Sequence, residues 1–312
     1  MKVLFIGLGS IATRHLNALR QLVPGVQLYA LRSGIGQSFG WEGINELFNA
    51  DDIPADIDFG IISNPTFRHA EAVEILLARS IPIFLEKPLA HQLDGLEQLV
   101  SRVEKSGLIS YVACNLRFLP SLVFLRNHLL QANVIVNEVN VYCGSYLPNW
   151  RPGKDFRDMY STRPEMGGGV HLDLFHELDY TCWLFGMPQE VDVLLRNNST
   201  LRIAVPDYAN YRLLYKGFTA QVTLNYFRRD SKRELEVVTA DGTFTLDLSN
   251  NHVTNETGEI LFHEDGAGIA QTYLFQMEYF LKVLRGEEKS FNTLRDSLSI
   301  LKICLADERK IK

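Results

Sequence analysis

A chain of 312 residues is longer than one hydrophobic core usually serves, and 46% hydrophobic content is that of an ordinary globular protein, so two domains are the starting expectation. A formal net charge of −6 with both signs interspersed offers no basic field for nucleic acid and no charged tail, which leaves small molecules or copies of the chain as partners. No apolar run reaches membrane-spanning length, no signal sequence precedes "KVLFIGLG", and Cys114, Cys143, Cys182 and Cys304 are too widely spaced for a zinc or redox pair, so a cytoplasmic protein with reduced, buried thiols is expected.

In chain order, "KVLFIG", "VQLYAL", "DFGIIS", "IPIFLE" and "SYVACN" are β-branched runs separated by segments of helical spacing. That alternation predicts a parallel α/β sheet, a doubly wound Rossmann domain over residues 1–116. From residue 117 the pattern changes. One helix, "PSLVFLRNHLLQ", precedes "VIVNEVNVYCGSY", and a second helical stretch follows at "GGGVHLDLFHELDY". Successive strand-like runs then come without helices between them: "EVDVLLRN", "YANYRLLYK", "FTAQVTLNYF", "RELEVVTA" and "GTFTLDL". Residues 117–312 are therefore expected to be an α+β domain with a large, open, mostly antiparallel sheet, closed by helices around "TYLFQMEYFLKVLRG" and "TLRDSLSILKICLADER".

The first strand runs into "GLGSIA", which puts Gly7, Gly9 and Ala12 at the positions of the dinucleotide fingerprint. Gly7 permits the tight turn, Gly9 lets the backbone approach a pyrophosphate, and the helix start at Ser10, Ile11 and Ala12 supplies amide donors. The alternative is a glycine-rich βα turn that holds no ligand. After the second strand, where an acid binds the ribose of NAD, the chain reads "LRSG"; between Tyr29 and Gly40 there is no carboxylate. Arg32 and Ser33 in that place suit a 2′-phosphate, which points to NADP over NAD. Otherwise Arg32 is a solvated residue at a strand end.

In "GGGVHLDLFHELDY", read as one helix, Val170, Leu174, Leu178, Cys182 and Phe185 share a side at about 100° per residue. Asp173, His176 and Tyr180 fall together on the far side, flanked by Glu177 and Asp179. His171, Asp173 and His176 lack a further nitrogen or thiolate nearby, so no metal is expected.

Taken together, "GLGSIATRH", "SNPTFRHAE", "LEKPLA", "CNLRF" and "GGGVHLDLFHELD" resemble, in order and spacing, the glucose-fructose oxidoreductase, inositol dehydrogenase and rhizopine-catabolism (Gfo/Idh/MocA) family. The resemblance spans both domains. It implies an NAD(P)-dependent oxidoreductase acting on a carbinol carbon of a sugar or cyclitol, with the last helices returning to the first domain. It further implies cofactor contacts from Ser63, Asn64, Pro65, His69, Glu86 and Asn115. Lys87 becomes the ammonium beside the reacting oxygen, and Asp173 the substrate-orienting carboxylate. Hydride removal from such a carbon requires a base for the hydroxyl proton. The family's commoner pattern puts a His four residues after the Asp, where this chain has Glu177; His176, three residues on, is the expected base, since an imidazole titrates near neutrality.

Substrate class is sought in "NWRPGKDFRDMYSTR", where Arg151, Lys154, Arg157 and Arg163 outnumber Asp155 and Asp158, and Trp150, Phe156 and Tyr160 are interleaved. Aromatic faces stack on sugars and arginines hold phosphate or carboxylate. With Arg117 and Tyr180 added, this favours a nucleotide sugar or acidic sugar of the kind used in surface-polysaccharide biosynthesis; a charged, solvated loop is the plainer reading. The function expected is therefore dehydrogenation or reduction at CH–OH with NADP preferred and NAD possible, in a homodimer or homotetramer formed through the open sheet. Two other classes compete: a non-catalytic NAD(P)- or sugar-binding sensor on the same fold, and a glycosidase or lyase that uses the cofactor only transiently.

Overall fold

A computed structural model describes residues 1–33, 41–131, 134–266 and 268–306. The chain divides into two compact units, one of Met1–Cys114 with Tyr273–Leu301, the other of Asn115–Thr272 with the described residues from Lys302 on.

The first unit holds strands β1 (Lys2–Ile6), β2 (Gln27–Leu31), β3 (Ile44–Leu47), β4 (Phe59–Ile62), β5 (Ile83–Glu86) and β6 (Ser110–Ala113), in the order β3-β2-β1-β4-β5-β6. The paired strands run parallel throughout. The order reverses at β1, which is where a doubly wound sheet opens its ligand crevice at the strands' carboxyl ends. Between the strands lie α1 (Ser10–Leu22), α2 (His69–Ala78) and α3 (Leu96–Ser106). β1, β4, β5 and β6 are buried almost throughout, because helices cover a parallel sheet on both faces. Rings of Phe59, Phe84 and Tyr111 meet Phe280 at 5.1 to 5.9 Å between centroids, and burial of a phenylalanine of this kind stabilises by roughly 1.5–3 kcal/mol. β3 is a strand the sequence pattern did not reveal: "INEL" is too short and too polar to stand out.

In the second unit, α4 (Pro120–Gln131) precedes β7 (Val136–Tyr146), α5 (Val170–Asp173) and α6 (Phe175–Phe185). β8 (Glu190–Arg196), β9 (Tyr208–Leu214), β10 (Thr219–Asn225), β11 (Phe227–Thr239), β12 (Thr243–Asp247), β13 (His252–Thr254) and β14 (Ile260–His263) complete an eight-stranded sheet ordered β14-β13-β12-β11-β7-β10-β9-β8. All its pairs are antiparallel except β7 with β10. Val139, Val141, Ala209, Tyr211, Leu213, Ala220, Val222, Leu224, Leu235 and Val237 point to the buried face, against which α5 and α6 pack. The chain's last helices are α7 (Thr272–Leu284) and α8 (Leu294–Cys304). All four cysteines are buried and unbridged, and none of the described helices is long and apolar enough to cross a membrane.

The single helix expected across residues 170–185 is two. Gly169 has φ +129°, and α5 ends after one turn at Leu174, whose φ −97° and ψ 35° interrupt the ladder before α6 starts. The wheel that set Asp173 on one line with His176 and Tyr180 therefore does not hold across the break, while His176 and Tyr180 remain one turn apart on α6. Phe175, Glu177, Leu178, Asp179 and Tyr180 are all buried, so α6 is enclosed on nearly every side.

Candidate active site

The first unit carries a dinucleotide cradle. Gly7 has φ +98°, and a Cβ on it would lie 2.5 Å from the backbone nitrogen of Asn64, so only glycine lets β1 turn against the loop after β4. A Cβ on Gly9 would meet nothing within 4 Å, which leaves open space over the start of α1. The amides of Ser10, Ile11 and Ala12 begin that helix and have no intrahelical acceptor, so they face an anion ready-made. Ser63 is buried and donates to the Gly7 carbonyl at 2.8 Å; it fixes the loop's shape from beneath. Asn64 is half-buried and Pro65 exposed, both open to a ligand.

Other expected cofactor contacts are occupied by the protein itself. His69 is buried, with Nδ1 2.9 Å from the Pro88 carbonyl and Nε2 3.0 Å from the Asn64 carbonyl. Glu86 is buried, with Oε1 2.5 Å from His15 Nε2 and Oε2 accepting from the Lys87 backbone amide at 3.2 Å. Asn115 is buried in the second unit, and its side-chain amide donates to Thr272 Oγ1 at 2.6 Å. These three residues hold the loops around them through bonds to the protein's own groups. Ser33 is exposed, and Arg32 lies with Nε 3.7 Å from Glu46 Oε2. Glu46, on β3, is thus a carboxylate that Arg32 meets as a neighbour in space and not in sequence. Residues 34–40 lie outside the described residues.

The second unit gathers a different cluster. Asp173, at the end of α5, accepts from the Tyr160 hydroxyl at 2.9 Å on one oxygen and from the Tyr226 hydroxyl at 2.5 Å on the other. Both phenols hold their protons more tightly than usual. For Tyr160 the Asp173 charge is the larger cause and burial the next; for Tyr226 burial leads and Asp173 adds to it. They stay donors, and the carboxylate is pinned from two sides. Trp150 stands edge-on to Tyr226 at 5.4 Å and donates through Nε1 to Ser145 Oγ at 2.9 Å. Arg151 is exposed, and its charge acts on the Tyr160 hydroxyl. His176 is half-buried on the first turn of α6.

Two residues expected to touch substrate are buried among the protein's own groups. Arg117 is 5% exposed, and its guanidinium grips Asp179 through Nε at 2.8 Å and Nη2 at 2.7 Å. Tyr180 is fully enclosed, and burial raises its phenol well above the ordinary value. Glu177 is likewise enclosed, with Arg233 Nε 2.6 Å from its Oε1, so it serves as the partner of a charged side chain on β11. The basic segment is largely self-neutralised, with Arg157 paired to Asp155 and Arg163 to Asp158, all of them well exposed. Tyr160 and Tyr226 are the residues that sequence reasoning missed as a pair. Tyr160 stood out only as an interleaved aromatic, and nothing in "LNYF" marked Tyr226.

Tyr226→Phe keeps the ring and removes one donor to a carboxylate, a loss worth about 1.5–3 kcal/mol. It should lower kcat/KM about tenfold or more while cofactor affinity, read by fluorescence titration, stays unchanged. An unaltered kcat/KM would show that the orientation of Asp173 is not used.

Comparison with known proteins agrees with the strand order and the cradle. Residues 1–114 match the oxidoreductase family with an NAD-binding Rossmann fold (GFO/IDH/MocA), and residues 136–245 match the GFO/IDH/MocA C-terminal domain. The chain belongs to the GFO/IDH/MocA family. Within it, the chain is 25% identical over 187 residues to scyllo-inositol 2-dehydrogenase (NADP(+)) from Bacillus subtilis, covering 60% of this chain and 56% of that protein. It is also 25% identical over 307 residues to inositol 2-dehydrogenase 1 from Saccharopolyspora erythraea, covering 92% of this chain and 87% of the other. Among the first relatives matched, the chain spans only about half of their length or less. The GFO/IDH/MocA fold is shared with levoglucosan dehydrogenase in complex with NADH and levoglucosan, at a TM-score of 0.82 and 16% identity over 100% of this chain and 98% of that one.

Proposed function

We propose that this protein is an NAD(P)-dependent dehydrogenase or reductase acting on a carbinol carbon of a sugar or cyclitol. The observation that carries the reading is the pinned carboxylate of Asp173 between two phenols, with Trp150 and Arg151 beside it, in a chain whose other unit carries an open pyrophosphate cradle. A sensor that only binds has no need to hold a carboxylate in one orientation. Gly7, Gly9 and the amides of Ser10 to Ala12 would hold the dinucleotide, which when bound supplies the hydride acceptor or donor. In this reading Lys87 stabilises the substrate oxygen as it loses its proton, His176 takes that proton, and Asp173 orients the hydroxyl.

Arg32 is the reason to prefer NADP. Glu46 steadies the guanidinium at the end of β2, beside the exposed Ser33, where a 2′-phosphate would find one charged and one neutral donor. Arg32→Ala should weaken NADPH binding by about tenfold to a hundredfold, the equivalent of a lost charge-assisted bond, and leave NADH little changed. Calorimetry with both cofactors checks this, and equal losses for the two would reject the preference.

For the substrate, Arg157 and Arg163 are paired to aspartates while the charge of Arg151 acts on Tyr160, so an acidic or nucleotide-activated sugar is preferred over a plain polyol. A thermal-shift screen of inositols, levoglucosan, uronic acids and nucleotide sugars, with NADP or NAD present, tests the class. We also assign the polar face of the eight-stranded sheet to self-association, in a cytoplasmic homodimer or homotetramer; light scattering reads the assembly.

A further inference from the structure

Lys87 is followed and preceded by residues that two buried histidines hold. His15, on α1, is fully enclosed and lies 2.5 Å from the carboxylate of Glu86, the residue before Lys87. The same carboxylate accepts from the Lys87 backbone amide. His69, at the start of α2, lies 2.9 Å from the carbonyl of Pro88, the residue after Lys87. Its other nitrogen rests on Asn64, whose backbone fills the space beside Gly7, and Gly7 leads back to α1. The contacts therefore close a ring: α1, Glu86, Lys87, Pro88, His69, Asn64, Gly7 and α1 again.

We propose that His15 and His69 are positioning residues that set the place and direction of Lys87 by gripping the turn on either side of it. The proposal rests on the reading of Lys87 as the group beside the substrate oxygen. A lysine side chain has several rotatable bonds, so its aim can be fixed only as well as the backbone that carries it. A turn at a strand end normally moves with its loop. Here the carboxylate before Lys87 and the carbonyl after it are both tied to imidazoles that packing immobilises, His15 being held edge-on to Phe84 at 5.0 Å and Tyr273 at 5.5 Å. Each imidazole contributes a donor where an aliphatic residue would leave a buried oxygen unmatched. Burial lowers the His69 pKa, with the Pro88 and Asn64 contacts and the Glu86 charge opposing it, so the neutral ring carries one N–H, and the tautomer protonated at Nδ1 donates it to Pro88 while Nε2 packs against the Asn64 carbonyl.

The test reads Lys87 itself and needs no substrate. Full-length protein is acetylated with a water-soluble acyl ester, and the rate at Lys87 is measured by peptide mass spectrometry against the exposed Lys105 and Lys216. His15→Leu and His69→Leu should each raise the rate at Lys87 by about threefold or more, relative to the two references, as the turn loosens and the half-buried amine opens to solvent. His15→Gln places an amide nitrogen where Nε2 was, and His69→Asn places one where Nδ1 was; both should restore the wild-type rate. A general loss of structure would instead raise all three lysines together. If a leucine variant does not fold, Glu86→Gln, which keeps the shape and weakens both grips on that residue, decides the matter with the same expected rise. Folded leucine variants, or a folded Glu86→Gln, with Lys87 labelled at the wild-type rate would overturn the proposal. With a turnover substrate, the leucine variants should lower kcat and leave cofactor KM unchanged. Should Lys87→Ala retain activity while the labelling result holds, the catalytic reading fails and the positioning device stands.

Discussion

His176→Ala should lower kcat by roughly 10² to 10⁴, the usual loss on removing a general base, and Lys87→Ala should be comparably damaging while the cofactor still binds. Glu177→Gln should leave the chemical step nearly untouched. The family's commoner spacing favours the position of Glu177, but that carboxylate is enclosed and held 2.6 Å from Arg233, so it is committed to an ion pair inside the second unit. His176 is the half-buried residue of the two, in the first turn after the break at Leu174. The interruption is what separates their fates, because it turns α6 so that Glu177 faces β11. Steady-state kinetics on the three variants checks the assignment. A silent His176→Ala with a dead but well-folded Glu177→Gln would reverse it.

The second large effect concerns Arg117, first read as a substrate contact. Arg117→Ala should cost about 3–5 kcal/mol of stability, since it leaves the Asp179 carboxylate buried without its bidentate partner. Arg117→Met combined with Asp179→Leu should recover most of that loss, because an apolar pair of similar volume removes both charges together. Denaturant titration of the single and double variants measures the difference. A single variant as stable as the wild type, but with weakened substrate binding, would return Arg117 to the role it was first given.

Those two residues show where the sequence was legible and where it was not. Gly7, Gly9 and Ala12 could be read because backbone conformation at a tight turn leaves its mark on a few adjacent positions. The strands β1, β4, β5 and β6 could be read because each is a run of apolar residues buried on both faces, and β2 because Leu28, Ala30 and their apolar neighbours keep the run. β3, β13 and β14 are short edge or near-edge strands with mixed side chains, and local pattern does not distinguish them from loops. The break at Leu174 leaves no residue-level signal. The pairs Arg117 with Asp179 and Glu177 with Arg233 lie 62 and 56 positions apart, a separation that periodicity cannot bridge. The same holds for Tyr226, which reaches Asp173 across 53 positions. Charged residues near an acid-base motif therefore looked functional when several of them were building the core that holds it. The Asp173 carboxylate was found from the sequence, but its two phenol partners required the fold.

One assay reads net hydride transfer by the protein. The protein is incubated with NADP⁺ or NAD⁺ and each carbohydrate that stabilises it, and formation of reduced nicotinamide is followed by absorbance while the sugar product is identified by mass spectrometry. One reduced cofactor is expected for each sugar that loses two hydrogens, with NADP⁺ used in preference and the reaction abolished in Lys87→Ala. Sugar converted with no net reduced cofactor would mean a lyase or glycosidase, and sugar bound without conversion would mean a sensor; either result contradicts that expectation.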